Sequence, residues 1–259
     1  MNQQLARIRI DQLTALRRWA RSPLGRALCA AEQTVLAPAL SQVFGYHLVV
    51  IDPICQLDSL QDSRVPHRII QACTAAGLEE QPALLACNED LPWQTDSIDA
   101  FVLPHVLELS ANPHQLLREL DRCLVAEGHL LILGFNPYGL WGLRRFLSRR
   151  RRQLPWSLRF ISQPRLMDWL SLLGYATQPG GYYFPVLPWQ HAPGSGRGRL
   201  LARLHRPDWP FLAAGYLLVA RKRVTTLTPI KPRWQPRRSV LVGGAIEPTQ
   251  RGVSHRKHG

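Results

Sequence analysis

The sequence has few acidic residues, and its cysteines form no close pairs. Asp and Glu number 18 against 32 Lys and Arg among 259 residues, which gives a formal net charge of +14. Such a balance favours contact with polyanions, either nucleic acid or an anionic membrane surface. The five scattered cysteines are Cys29, Cys55, Cys73, Cys87 and Cys123. An odd number without a C-x-x-C pair argues against a disulfide framework or a zinc site and is typical of a reducing cytoplasm.

Long apolar runs and several catalytic motifs are also missing. No apolar run is long enough to span a bilayer, and residues 1–28 alternate apolar residues with arginine, so a secretory signal is not expected. The absence of a G-x-S-x-G elbow, a Walker loop and an H-E-x-x-H motif removes the usual support for hydrolases, NTPases and metalloproteases. The G-x-G-x-G run at 194–198 follows no convincing strand and is predicted to be a flexible loop.

Glycine is absent where a nucleotide-binding fold commonly needs it. The segment HLVVIDPICQ at 47–56 predicts a buried strand that ends at Asp52 and Pro53. Such a first strand normally opens into a glycine-rich loop, but the next glycine is Gly77. Proline fixes its own φ and pushes the preceding residue toward an extended conformation, so we predict a turn with an extended Asp52.

The pattern of the remaining chain is that of alternating helices and strands. The strongest signal is a strand at 97–104, a helix at 112–128 with Asn112 as its N-cap, and a strand at 129–135. A strand, helix and strand of this length form a βαβ unit, which implies a parallel sheet. Further helices are predicted over 1–21, from Pro23 to about Gly45 and over 162–174, and further strands over 66–72, 83–87 and 215–223.

Four motifs in residues 89–137 occur in a fixed order. They are E-x-L-P-[FW] at 89–93, D-S-[FI]-D at 96–99, H-V-L-E at 105–108 and L-x-x-x-G-x-L-x-I at 124–132. In this order and spacing they resemble the class I S-adenosylmethionine-dependent methyltransferases, and more narrowly their type 11 group. The resemblance is strong over 89–137; residues 22–88 and 138–222 agree with the family only in the order of elements.

The resemblance implies a fold and a cofactor. We expect a doubly wound, mostly parallel seven-stranded α/β sheet of the Rossmann-like type over residues 22–222. A helical extension at 1–21 precedes it, and a basic tail at 223–259, predicted to be disordered, follows it. S-adenosylmethionine is the cofactor that the family implies, lying across the carboxyl ends of the first strands. The cofactor-edge candidates, chosen by position, are Asp52, Cys87, Asn88, Glu89, Leu103 and His105.

The sequence departs from the family pattern at three positions. Asp52 stands where the family has its glycine run, and Gln71 is the nearest polar residue to the place of the usual ribose carboxylate. Cys87 stands where the family commonly has an aspartate that contacts adenine. His105 is a candidate base because its ordinary pKa is near neutrality, and a structural role in its loop is the alternative. Tyr138 is a candidate wall of the substrate site, with a turn as the favoured interpretation of residues 136–138. The identity of the catalytic residue stays open.

The leading functional prediction is methyl transfer from S-adenosylmethionine to an unknown acceptor. The alternative is a methyltransferase fold without a cofactor, which binds nucleic acid or a protein partner. Its surface would be an arginine block made of Arg144, Arg145, Arg149, Arg150, Arg151 and Arg152. A solvated helix face is the other interpretation of this block, and attachment to anionic lipid is a third, weaker one.

Overall fold

The computed structural model describes residues 2–55, 57–76, 83–88, 90–147, 154–186 and 210–223. Their helices are α1 (Asn2–Ala20), α2 (Pro23–Leu40), α3 (Val106–Leu109), α4 (Pro113–Cys123), α5 (Leu140–Leu147) and α6 (Gln163–Leu172), with a 3₁₀ helix at Asp58–Asp62. Their strands are β1 (His47–Ile51), β2 (His67–Ala72), β3 (Leu84–Leu85), β4 (Ile98–Pro104), β5 (Leu124–Phe135), β6 (Tyr175–Tyr183) and β7 (Gly215–Lys222). None of the described helices is long and apolar enough to cross a bilayer.

The strands form one sheet of seven with the order β3-β2-β1-β4-β5-β7-β6. The neighbours from β3 to β5 are parallel, whereas β7 runs antiparallel to both β5 and β6. The prediction of seven strands is confirmed, but the prediction of a mostly parallel sheet is wrong, because the sheet is mixed. The prediction assumed that the last strands follow the βαβ pattern of the middle of the chain. The last strands pair in antiparallel fashion instead, which needs no crossover helix.

Helices cover both faces of the sheet, because successive strand residues point to opposite sides. In β1, Leu48 and Val50 pack in one core with residues of α1 and α2, while Val49 and Ile51 pack in the other core with residues of α4 and α6. All four side chains are buried. The alternation accounts for a continuous apolar strand, since each face meets its own helical layer.

Two helix ends differ from the predictions, since α2 ends at Leu40 before the expected Gly45 and α4 ends before Gly128. Ser22 caps α2, since its hydroxyl oxygen accepts a hydrogen bond from the Gly25 N–H at 3.1 Å. The helix predicted to end at Gly128 ends at Cys123 instead, and the side chain of Asn112 makes no capping hydrogen bond. The reason is tertiary pairing: Leu124 already pairs with Ile98 of β4, so strand β5 begins directly after α4.

The connection between β1 and β2 positions the site. Among its described residues it contains only the short 3₁₀ helix, where a parallel pair is usually joined by an α-helix. α2 packs against this 3₁₀ helix, and α1 packs against α2. The N-terminal helices therefore lie next to the carboxyl end of β1.

Candidate cofactor and active site

Asp52 follows β1 directly and adopts a left-handed backbone conformation with a φ of 47°. The predicted extended conformation is therefore wrong. Aspartate tolerates the left-handed region better than most residues because its short side chain can hydrogen-bond to nearby backbone. Here the Asp52 N–H donates to the carbonyl of Gln71 at 2.8 Å, and its Oδ1 accepts from the Cys73 N–H at 2.7 Å. The carboxylate of the residue that follows β1 thus lies at the carboxyl end of β2.

Buried polar side chains connect the ends of the first three strands. Asn88, which follows β3, donates from Nδ2 to Oδ2 of Asp52 and accepts at Oδ1 from Nε2 of Gln71 at 3.3 Å. The indole N–H of Trp93 donates to Oε1 of Gln71. We call Asp52, Gln71, Asn88 and Trp93 the strand-end network. Its first three members are at most 1% exposed, so their hydrogen bonds offset the cost of burying polar groups.

Two arginines of α1 complete the surroundings of Asp52. Arg9 Nη2 lies 3.3 Å from Oδ2 of Asp52, and Arg17 Nη2 lies 3.9 Å from Oδ1. Arg17 also donates to three backbone carbonyls in the turns after β1 and β2, those of Pro53, Thr74 and Ala76, at 3.0, 2.8 and 2.8 Å. The α1 helix is thereby fixed across the carboxyl ends of β1 and β2.

His105 follows β4 and is enclosed by two carboxylates. Its Nδ1 lies 2.9 Å from Oε2 of Glu108, and its Nε2 lies 2.8 Å from Oε1 of Glu32 in α2. The ring stacks on Phe135 with 3.9 Å between centroids. Tyr183 donates its hydroxyl to Oε1 of Glu32 at 3.3 Å.

Burial lowers the pKa of His105, but attraction and hydrogen bonds from Glu32 and Glu108 outweigh it and raise the pKa to about 10. Burial raises the pKa of Glu108, although its hydrogen bond to His105 opposes this. At neutral pH His105 is therefore an imidazolium with both N–H groups engaged. In this arrangement it has no free lone pair to accept a proton.

The other candidates from the sequence lie in different surroundings. Cys87 is exposed after β3, whereas Leu103 is a buried core residue of β4. Glu89 lies outside the described residues. Tyr138 is 58% exposed and borders a cavity of about 210 Å³. The lining of this cavity consists of Pro137, Tyr138, Arg159, Phe160, Ile161, Ser162, Arg165 and Trp169.

Sequence reasoning missed the contribution of the N-terminal helices. Arg9, Leu13 and Arg17 follow one another at four-residue spacing, which places both arginines beside a fully buried leucine. Arginine on the apolar side of an amphipathic helix is a signal for a buried carboxylate or carbonyl partner. Glu32 gave a similar signal, since a carboxylate stands among the alanines and leucines of α2.

Two of the six arginines of the predicted block, Arg144 and Arg145, lie within the part of the chain that the structure describes. The Arg144 guanidinium lies over the Trp156 ring at 4.4 Å from the centroid, and the Arg145 guanidinium lies over the Phe160 ring at 5.3 Å. Burial lowers the pKa of Arg144. The other four arginines of the block lie outside the described residues, and nucleic-acid binding stays a prediction.

Comparison with known proteins gives the same architecture. A family model described as "Methyltransferase domain" matches residues 35–132. The uncharacterized protein YafS of Escherichia coli (strain K12) is 31% identical over 232 residues, which is 90% of this chain and 91% of YafS.

Two crystal structures of S-adenosylmethionine-dependent methyltransferases have the same fold. The one from Thermotoga maritima has a TM-score of 0.53 at 14% identity, over 75% of this chain and 89% of its own. The one from Archaeoglobus fulgidus has a TM-score of 0.52 at 13% identity, over 74% and 93%.

The structure has the fold of the class I S-adenosylmethionine-dependent methyltransferases, and residues 35–132 match a methyltransferase-domain model. The chain belongs to the same family as YafS of Escherichia coli. The cofactor of the class is S-adenosylmethionine.

Proposed function

We propose that the chain transfers the methyl group of S-adenosylmethionine to an acceptor that carries an anionic group. The observation that supports this most strongly is the position of the Asp52 carboxylate, which lies at the carboxyl ends of both β1 and β2. A carboxylate at the end of the second strand is the group that cofactor ribose hydroxyls require. Asp52 supplies it from the first strand, where Gln71 offers only an amide.

The residues at this edge fit the nucleoside part of the cofactor. Asp52 is a hydrogen-bond acceptor for the ribose hydroxyls, and the Asn88 amide has both a donor and an acceptor for adenine.

The proposal requires a movement of α1. Asp52 and Asn88 are buried, and Asp52 is engaged by Arg9 and Arg17. A cofactor that binds Asp52 must therefore compete with these arginines, and it gains access when α1 moves away from the strand ends. Only molecules in the open state bind the cofactor. The observed affinity is therefore the affinity of the open state multiplied by the fraction of molecules that are open.

The cofactor and the chain contribute different parts of the reaction. When bound, S-adenosylmethionine supplies a methyl group on a sulfonium that an acceptor lone pair displaces in line. The chain contributes mainly orientation, because bringing two reactants together supplies much of the rate enhancement in such transfers. His105 holds α2 to the end of β4 through its two carboxylate contacts. We assign it this positioning role.

The acceptor site in this proposal is the cavity beside Tyr138. The residue follows β5, which neighbours β4 in the sheet, and its exposed ring forms one wall. Arg159 and Arg165 bring two positive charges to the same lining. A phosphate or carboxylate of the acceptor fits these guanidinium groups, which bind such anions with paired hydrogen bonds.

The test of this function is calorimetric titration of the full-length chain with S-adenosylmethionine and S-adenosylhomocysteine. We expect saturable heat from the wild type and a loss of affinity of roughly tenfold or more in Asp52→Asn, since hydrogen bonds to a charged acceptor contribute about 1.5–3 kcal/mol. Asp168→Asn, which changes an exposed aspartate of α6, is the matched control and should bind like the wild type. Unchanged affinity in a folded Asp52→Asn variant would remove Asp52 from the site.

A further inference from the structure

A second group of chemically active side chains lies between α2 and the turn after β1. Cys29 and Glu32 stand one helical turn apart on α2, and Cys55 belongs to the turn. One ligand atom from each of the three lies within 4.8 Å of the other two. Methyl transfer as proposed above uses none of these atoms.

The cluster is enclosed by protein. Cys29 is 6% exposed and Glu32 is fully buried, while Cys55 is half-buried. Oε1 of Glu32 contacts His105 Nε2 and the Tyr183 hydroxyl, but Oε2 is buried and has no hydrogen-bond partner among the described residues. A buried carboxylate oxygen without a partner is costly, and a cation would satisfy it.

We propose that Cys29, Glu32 and Cys55 form a zinc site, contrary to the expectation from cysteine spacing, because the fold brings two distant cysteines together. Thiolate sulfur and carboxylate oxygen are both zinc ligands, at about 2.3 Å and about 2.0–2.2 Å from the metal. Ligand atoms on one tetrahedral zinc therefore lie roughly 3.5 Å apart, so the observed cluster needs only a small contraction. Three protein ligands leave the fourth position for water or another small ligand.

The contacts of Glu32 match those of a metal-bound carboxylate. Such ligands are held in place by hydrogen bonds from neighbouring groups. His105 and Tyr183 both contact Oε1, which leaves Oε2 for the metal. Binding converts the two thiols to thiolates and releases their protons to solvent, so it is tighter at higher pH within the range where the chain is folded.

A disulfide between Cys29 and Cys55 is the competing use of the same sulfurs. It would leave Oε2 of Glu32 buried and without a partner, whereas zinc uses all three donors. The zinc site would also join α2 to the glycine-free turn after β1, and so fix the segment that carries Asp52. This consequence does not depend on methyl transfer.

The test uses the full-length chain in reductant, freed of metal by chelation and titrated with Co²⁺ as a spectroscopic probe for zinc. The Cys87→Ser chain is the parent, because the exposed Cys87 thiol could bind metal on its own. We expect one Co²⁺ per chain, thiolate-to-cobalt charge-transfer absorption, and displacement of the Co²⁺ by Zn²⁺. This measurement needs no change in the cluster, so it does not depend on whether a cluster variant folds.

Variants then locate the metal. Cys29→Ser and Cys55→Ser should each reduce the charge-transfer absorption, because only one cluster thiolate remains, and Glu32→Gln should weaken binding by at least about tenfold. Cys123→Ser, which changes a buried thiol outside the cluster, should keep both absorption and stoichiometry. Absence of cobalt–thiolate absorption in the parent chain would overturn the proposal. Equal loss in Cys123→Ser and Cys55→Ser, or a Cys29–Cys55 disulfide that persists in reductant and excludes Co²⁺, would do the same.

Discussion

At the residue scale, His105 shows how neighbouring charges override burial. An isolated buried histidine is neutral, because a low dielectric disfavours its charged form. Here Glu32 and Glu108 face the ring from two different elements, and the pKa of His105 rises to about 10. The residue therefore contributes to the structure as a charged link between α2 and α3.

The pH dependence of stability follows from this pKa. A folded pKa of about 10 against an ordinary 6.5 means that the stabilisation is fully present below pH 6.5 and is lost as the pH rises through about 10. We expect His105→Gln to lack this decline, so the difference in unfolding free energy between wild type and variant shrinks by up to about 1.4 kcal/mol per pH unit in that window. Urea unfolding at several pH values measures it, and parallel pH profiles would contradict the assignment.

Arg17 supports a second prediction at this scale. Its guanidinium serves Asp52 and three backbone carbonyls at once, a pattern that the single ammonium of lysine cannot reproduce. We expect Arg17→Lys to lower the free energy of unfolding by about 2 kcal/mol, since it leaves buried acceptors without donors. Arg18→Lys on the exposed side of the same helix is the control. Equal stability of the two variants in urea unfolding would show that the carbonyl contacts contribute little.

At the element scale, α1 occupies the position from which it controls access to the strand ends. Its two arginines bind Asp52, the residue to which we assign the ribose of the cofactor. The sequence predicts α1 as an amphipathic helix, but hydrophobic periodicity alone does not say which strand end a helix covers. Its docking depends on Asp52 and on carbonyls of distant turns.

Weakening the contact between Arg9 and Asp52 should increase the affinity for S-adenosylmethionine. Arg9→Gln removes one of the two charges that compete for Asp52, so we expect S-adenosylmethionine to bind up to about tenfold more tightly. Arg18→Gln removes the same charge from an exposed position and should leave the affinity unchanged. Calorimetry of both variants measures the difference. Weaker binding by Arg9→Gln alone would mean that Arg9 holds the cofactor instead of competing with it.

The elements that the sequence predicts well are those whose pattern is local. β1 and β4 are apolar runs and α6 has clear helical periodicity, and all three lie within one or two residues of their predicted bounds. β6 has no such pattern, because Pro179, Gly180 and Gly181 interrupt it, and it is a strand only through its antiparallel pairing with β7. The boundary between α4 and β5 was misplaced for the same reason, since the pairing of Ile98 with Leu124 overrides helix propensity.

At the scale of the whole molecule, the motifs between 89 and 137 indicate a class I methyltransferase fold, and the structure has the seven strands that this resemblance implies. The sequence predicts only part of the candidate site. Asp52 and Asn88 were found by position, whereas Arg9, Arg17 and Glu32 come from helices whose packing the sequence does not reveal. Long-range ion pairs of this kind depend on the folded chain.

The proposed acceptor site gives a prediction at this scale. Arg165→Gln, with Asp168→Asn as an exposed control on the same helix, should raise the KM for an anionic acceptor by about tenfold and change kcat little. The reason is that the guanidinium would bind the acceptor equally in the ground state and the transition state. Steady-state kinetics with an acceptor found by screening phosphorylated and carboxylated compounds measures this. A fall of about tenfold in kcat with an unchanged KM would contradict a binding role.

The central claim is that the glycine-free strand end binds S-adenosylmethionine through Asp52, and one calorimetric comparison tests it most directly. Wild type, Asp52→Asn and Arg9→Gln are titrated with S-adenosylmethionine under identical conditions. The account predicts saturable binding by the wild type, weaker binding by Asp52→Asn and tighter binding by Arg9→Gln. Absence of binding to the folded wild-type chain at millimolar ligand would contradict it.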